Sequence, residues 1–195
     1  MRIIRILLWL MVVAAAATMA YLYLVGDKGN RQASGEKLGG EFNLVRHDGN
    51  PITDKDLLGK PHAIFFGFTN CPEVCPTTLY EMSTWLSELG KDADGINVYF
   101  MSVDPDRDTK EVLADYLTSF DERIIGITGN RPQVEQTLKS YRVYFKRADL
   151  EDEDYNMDHT ASVYLLDPKG KFTGSIAYGE DGKSAVAKLR KLLKS

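Results

Sequence analysis

Apolar positions along this chain follow two rhythms. Continuous apolar runs at residues 63–68 (AIFFGF) and 96–103, the first bounded by Pro61 and by Thr69-Asn70, have the pattern of strands buried on both faces. Spacings of three and four mark amphipathic helices: Leu79, Met82, Trp85, Leu86 and Leu89 ahead of a stop at Gly90, then Val112, Leu113, Tyr116 and Leu117. A further helix is expected over 132–140, flanked by short strands at 124–127 and 141–145. Residues 42–46 with the turn His47-Asp48-Gly49-Asn50 predict a hairpin or an irregular strand pair. A second hairpin is expected from residues 161–166, the turn Asp167-Pro168-Lys169-Gly170 and residues 172–177, before a C-terminal helix over about 183–193.

Strands alternating with helices, then a hairpin and a last helix, predict an α/β sandwich with a mixed sheet. The order is compatible with a thioredoxin-like fold. One segment stands outside this alternation. Residues 6–25, ILLWLMVVAAAATMAYLYLV, carry no charge, and a helix of that length spans the roughly 30 Å hydrocarbon core of a bilayer. Arg2 and Arg5 precede it, which favours an N-terminus left in the cytoplasm and a body carried outside, although Lys28, Arg31 and Lys37 dilute the asymmetry.

A cleaved signal peptide is the rival reading, since Ala15-Ala16-Ala17 resembles a small-residue cleavage site. Tyr21 to Val25 prolong the apolar run beyond that site and put aromatic residues where a membrane interface would be. The expected organisation is therefore one N-terminal transmembrane helix or signal peptide over 1–25, a Gly-, Lys- and Ser-containing tether over 26–40, and one domain over 41–195. No transit peptide is evident. The expected placement is thus a bacterial inner membrane, single-pass, with the C-terminal domain in the periplasm; the alternative is a mitochondrial inner membrane facing the intermembrane space.

The hydrophobic share of 44% and charged share of 27% are ordinary for a globular chain. The net charge is -4, and setting aside the two arginines before the apolar run leaves -6 for the remainder. So acidic a body argues against nucleic acid as a partner.

Candidate chemistry concentrates in FGFTNCPEVCPTTLYEM, which holds both cysteines of the chain, Cys71 and Cys75. They fall at the junction of a buried strand and a helix, where open α/β sheets commonly bind ligands. That helix is expected to start near Pro76, a tolerated first position, or at Thr78, which has capping-box spacing to Glu81. Either start places Cys75 by unpaired backbone N–H groups and the positive helix end, an environment that favours thiolate. A structural disulfide across so short a loop contributes little, which favours a redox pair or a soft-metal site over that bland reading. A copper site that handles both oxidation states also benefits from an imidazole.

Three histidines are available. His47 beside a turn and His62 ahead of a core strand read as surface or edge residues. His159 ends the acidic stretch EDEDYNMD and precedes the strand TASVYLL, so its loop would face the cysteines if that strand is a sheet neighbour; position alone leaves ligation and a solvent-facing role both open.

Taken together, FGFTNCPEVCPTTL, FMSVDPDRDTKEVL, ITGN, YRVYF and DEDYNMDHTASVYLLDPKGKF resemble the SCO/SenC family of membrane-anchored copper chaperones over essentially all of residues 38–195. The resemblance implies a thioredoxin-like scaffold that binds copper through Cys71, Cys75 and His159 and assists assembly of the binuclear copper centre of cytochrome c oxidase. It implies Cu(I), and Cu(II) where water or a further nitrogen or oxygen donor joins. The partners implied are the copper-receiving subunit of the oxidase, a copper donor protein and, through the N-terminal helix, the membrane. Asp158 either orients the imidazole of His159 or is one more solvated acid.

The alternative is a thiol-disulfide oxidoreductase that reduces the oxidase subunit's copper-ligand cysteines through Cys71 and Cys75. Against a generic oxidoreductase stand the CxxxC spacing and the lack of a proline at 155–161. Three other features have a bland reading beside a functional one. Asp108 with Glu111 reads as a helix N-cap pair within DPDRDT. Glu151 to Asp154 read as a solvated loop or as a guide for a basic partner, and Met157 could offer a thioether.

Overall fold

The computed structural model of the chain describes residues 4–5, 9–14, 18–19, 38–150 and 154–195. It separates into two compact units, Met1–Glu36 and Lys37–Ser195. In the first, the described residues are helical, and Trp9, Leu10, Met11, Val12 and Val13 are exposed. Most of the expected anchor at 6–25, and the tether up to residue 37, lie outside the described residues. Among the described residues no helix is long and apolar enough to cross a membrane.

The second unit begins with the hairpin β1 (Asn43–Arg46) and β2 (Pro51–Thr53). Then come β3 (His62–Gly67), α1 (Val74–Leu89), β4 (Asn97–Ser102), α2 (Lys110–Leu117), β5 (Ile124–Thr128) and α3 (Arg131–Ser140). A ribbon of β6 (Phe145–Asp149) and β7 (Tyr155–His159) precedes the hairpin β8 (Ser162–Leu166) and β9 (Phe172–Ala177), and α4 (Gly182–Leu192) closes the chain. The seven-stranded sheet runs β2-β1-β5-β4-β3-β8-β9. Strands β3, β4 and β5 are parallel to one another and the remaining pairings are antiparallel, which is the mixed α/β sheet of the thioredoxin-like arrangement.

The apolar runs become the centre of the sheet. Every residue of β3 is buried. Alternate side chains serve opposite faces: Ala63 packs with Met82, Trp85 and Leu86 of α1 and Leu189 of α4, whereas the ring of Phe66 meets Tyr141, just past α3, at 5.5 Å. Each large apolar side chain that α1 buries stabilises the fold by about 1.5–3 kcal/mol relative to exposure. The start of α1 is thereby held firmly against the sheet.

Four local expectations are corrected. Helix α1 starts at Val74, ahead of Pro76, and Thr78 is no cap: its hydroxyl donates to the Val74 carbonyl at 2.8 Å within the helix. Thr109, not Asp108, caps α2, its Oγ1 accepting from the N–H of Val112 at 3.3 Å. The strand expected at 141–145 starts only at Phe145, because residues 141–143 close α3 instead. Arg142 takes a φ of 55° while its N–H reaches the Lys139 carbonyl and that of Val143 reaches Leu138, a helix-ending motif that consumes the backbone a strand would need. Finally, the acidic stretch before His159 is in part the strand β7, paired with β6 in a ribbon apart from the main sheet.

The topology positions the site. Strand β8 runs antiparallel to β3 with Phe65 opposite Val163, so the entry to β8 lies at the exit from β3. His159, at the end of β7 just before β8, arrives over the start of α1.

Candidate metal centre

The sulfur of Cys71, the sulfur of Cys75 and one imidazole nitrogen of His159 all lie within 4.8 Å of one another. Cys75 is fully buried in the first turn of α1; Cys71 and His159 are half-buried, and both cysteines are free thiols. Glu73 at the N-cap makes no side-chain capping bond. Cys71 does the capping: its Sγ accepts the backbone N–H of Cys75 at 3.3 Å, satisfying one of the orphan donors of the first turn.

That geometry splits the two thiols. The thiol of Cys75 donates to Cys71 and, with help from His159 and the Cys75 and Glu73 backbone, outweighs the opposing effect of burial to bring Cys71 down to about 4. Sharing its proton with Cys71, and then burial, push Cys75 up. Cys71 is thus the thiolate at neutral pH and Cys75 its proton donor.

His159 Nε2 sits 3.6 Å from Cys75 Sγ. The ring packs edge-on to Phe65 and Phe68, with centroids at 6.2 and 5.7 Å. Its Nδ1 lies 3.1 Å from the Thr160 carbonyl, a contact that calls for a proton on Nδ1 and turns Nε2 toward the thiols. The polar group against Nδ1 is this carbonyl, while Asp158 is exposed on β7. His47 is elsewhere, its Nδ1 accepting from the N–H of Gly126 at 2.9 Å. His62, expected at the surface or an edge, is buried at 1% exposure beside Tyr99, because the strand it opens is covered at that end too. Met157 is buried on β7. Glu151, Asp152 and Glu153 lie outside the described residues, and Asp154 pairs with Arg107 at 3.2 Å.

Sequence reasoning missed the groups that hold the site. Gly67 ends β3 under Cys75: a Cβ there would meet Cys75 Sγ and Phe100 Cε2, each at 2.7 Å. An isolated glycine inside an apolar strand run was the available signal of such an approach. The buried carboxylate of Asp108 accepts from the Thr69 N–H at 3.2 Å, the Thr69 hydroxyl at 2.6 Å and the Ser102 hydroxyl at 2.6 Å, tying the exits of β3 and β4 together just before Cys71. Burial raises its pKa in spite of these donors. Next to it, buried Asp104 accepts from Arg107 Nε and from the Tyr155 hydroxyl at 2.8 Å.

Two thiolates and an imidazole are a donor set for a soft or borderline metal, and hard cations would want oxygen. Among the described residues, clustered His, Cys, Asp and Glu side chains supply three ligands here and no fourth.

Comparison with known proteins agrees with the geometry. Residues 30–194 match the family model described as SCO1/SenC. The chain is 44% identical over 138 residues to the human protein SCO1 homolog, mitochondrial, covering 69% of this chain and 46% of that one. It is 40% identical over 169 residues to the protein SCO2, mitochondrial, of Saccharomyces cerevisiae, covering 85% and 56%. The chain therefore spans about half the length of these curated relatives. Among solved structures, Bradyrhizobium japonicum ScoI with copper bound superposes with a TM-score of 0.75 at 45% identity, over 80% of this chain and 99% of that one.

Proposed function

This chain belongs to the SCO1/SenC family, and on that footing we propose that it is a copper-binding metallochaperone that assists assembly of the binuclear copper centre of cytochrome c oxidase. The observation that carries the proposal is the convergence of Cys71, Cys75 and His159 within 4.8 Å. These residues are the proposed ligands. Cu(I) is soft and accepts two thiolates and an imidazole; Cu(II) would add water or another nitrogen or oxygen donor. Three protein ligands, two of them half-exposed, suit a carrier that passes its metal on by ligand exchange with the copper-receiving subunit after loading from a donor protein. The Thr160 carbonyl would orient the imidazole.

The proposal includes a membrane placement. The human and yeast relatives are named mitochondrial and the copper-bound neighbour is bacterial. An anchor at 6–25 in a bacterial or mitochondrial inner membrane, with the domain facing the periplasm or the intermembrane space, is consistent with both.

The test is an anaerobic Cu(I) titration of the reduced full chain against its Cys71→Ala, Cys75→Ala and His159→Ala variants. One tightly held copper in the parent, weakened in every variant, is the expected result. Tight copper indifferent to all three substitutions would refute the site.

A second reading rests on the acidic thiol. Cys71, lowered to about 4, is placed to attack a partner disulfide and form a mixed disulfide. Cys75 would then displace the partner thiol, leaving Cys71–Cys75 oxidised and the partner's two cysteines reduced. Thiol exchange that survives His159→Ala, with no tight copper binding, would favour this reading.

A further inference from the structure

We infer that Arg107 is the positioning residue that sets His159 against the two cysteines, an inference that rests on the copper site proposed above. His159 is not carried by the main sheet. It ends β7, and the β6–β7 ribbon is hydrogen-bonded as a separate two-stranded piece, with His159 paired to Phe145. The short link to β8 brings His159 to this end of the sheet, and contacts from outside the ribbon fix how the ribbon lies on the body.

Arg107, from the loop after β4, makes that connection through contacts with four residues. Its Nη1 donates to the Tyr155 carbonyl at 2.9 Å and to Asp154 at 3.2 Å, gripping the first residue of β7 and its neighbour. Its guanidinium lies 3.7 Å from the centre of the Tyr155 ring. Its Nε is held by the fully buried carboxylate of Asp104, which also accepts the Tyr155 hydroxyl at 2.8 Å. It also lies 5.9 Å from the Phe68 ring, and Phe68 meets the imidazole of His159 edge-on at 89°.

One side chain thus touches both the strand that delivers the imidazole and the ring that flanks it. Arg147 stacks on Tyr155 as well, at 3.8 Å, but it belongs to β6 and so cannot tie the ribbon to the body. Lysine cannot replace the planar fork and the two ring contacts together.

The experiment is a double-mutant cycle on the reduced full chain, reading Cu(I) affinity by competition with a chromophoric chelator. Arg107→Met keeps the stem and removes the fork. It is expected to weaken Cu(I) binding about ten- to hundred-fold, the usual range for groups that orient a ligand. Arg107→Lys is expected to recover little of that loss. The deciding comparison is Arg107→Met with His159→Ala: if Arg107 acts through the imidazole, the double variant binds copper no more weakly than His159→Ala alone. Losses that multiply, or parent-like affinity in Arg107→Met, would overturn the inference while leaving the copper reading intact. Should Arg107→Met fail to fold by near-ultraviolet circular dichroism, Tyr155→Leu enters the same cycle with the same two outcomes. Absence of tight copper in the parent chain, or indifference to His159→Ala, overturns the copper reading and this inference together.

Discussion

The backbone N–H of Cys75 points at the sulfur of Cys71 from 3.3 Å, so one prospective ligand caps the helix that carries the other. The consequence is chemical asymmetry. In the reduced, metal-free chain, alkylation of Cys71 should follow an apparent pKa of about 4, while Cys75 stays unreactive through neutral pH. Iodoacetamide labelling from pH 3 to 9, read by peptide mass spectrometry, checks this. Two thiols titrating together near the free-cysteine value of about 8.5 would contradict it.

Gly67 is expected to be intolerant of a side chain. The methyl of Gly67→Ala would sit 2.7 Å from Cys75 Sγ and from the Phe100 ring, both fully buried, so one of them must move. Overpacking of this kind costs about 1–3 kcal/mol. The urea midpoint should fall accordingly, and Cu(I) affinity should fall with it because Cys75 must shift. Full stability with normal copper binding would show that the strand end can move freely.

Asp108→Ala removes the acceptor shared by the Thr69 N–H, the Thr69 hydroxyl and the Ser102 hydroxyl. Stranding buried donors costs about 3 kcal/mol in total. Chemical unfolding of the variant should show this loss. Unchanged stability would mean that water replaces the carboxylate without penalty.

The centre of the main sheet could be read from the chain because β3 and β4 bury both faces and the helices one stripe, so residues 63–68, 96–103 and 79–89 carry strong patterns. The ribbon could not. Residues 145–149 are rich in charge and 155–159 mostly polar, and what recommends them as strands is a single ladder with each other plus the Tyr155 contacts to Arg107 and Arg147. Such long-range contacts leave no local pattern. For the site, the cysteines announce themselves by spacing and chemistry, and His159 by its place before a strand. What supports them was hidden for the same reason: Asp108 and Arg107 resemble ordinary loop charges until the fold buries Asp108 and brings Arg107 to Tyr155. His62 was misjudged because a polar side chain at a strand's first residue usually finds water, and here it does not.

His62 makes stability depend on pH. Burial lowers its pKa, with the Lys60 carbonyl acting the other way. The unfolded chain therefore binds the proton first as pH falls, and stability should decline once pH drops through the unfolded value of about 6.5, levelling off below the folded one. Urea midpoints at pH 7.5 and 5.5 should differ more for the parent than for His62→Leu. An equal difference in both would mean that His62 takes up its proton as readily in the folded chain as in the unfolded one.

Cys75 and His159 stand 84 residues apart, and the antiparallel pairing of Phe65 with Val163 is what brings them together. Contacts across so long an interval form late, after the entropy of closing the chain has been overcome. A nascent chain that has emerged as far as its cysteines offers two sulfurs but not the imidazole of His159. Completion of the three-ligand set is therefore a report that β8 has docked, and a metal that needs all three ligands would be retained only by molecules that have finished folding.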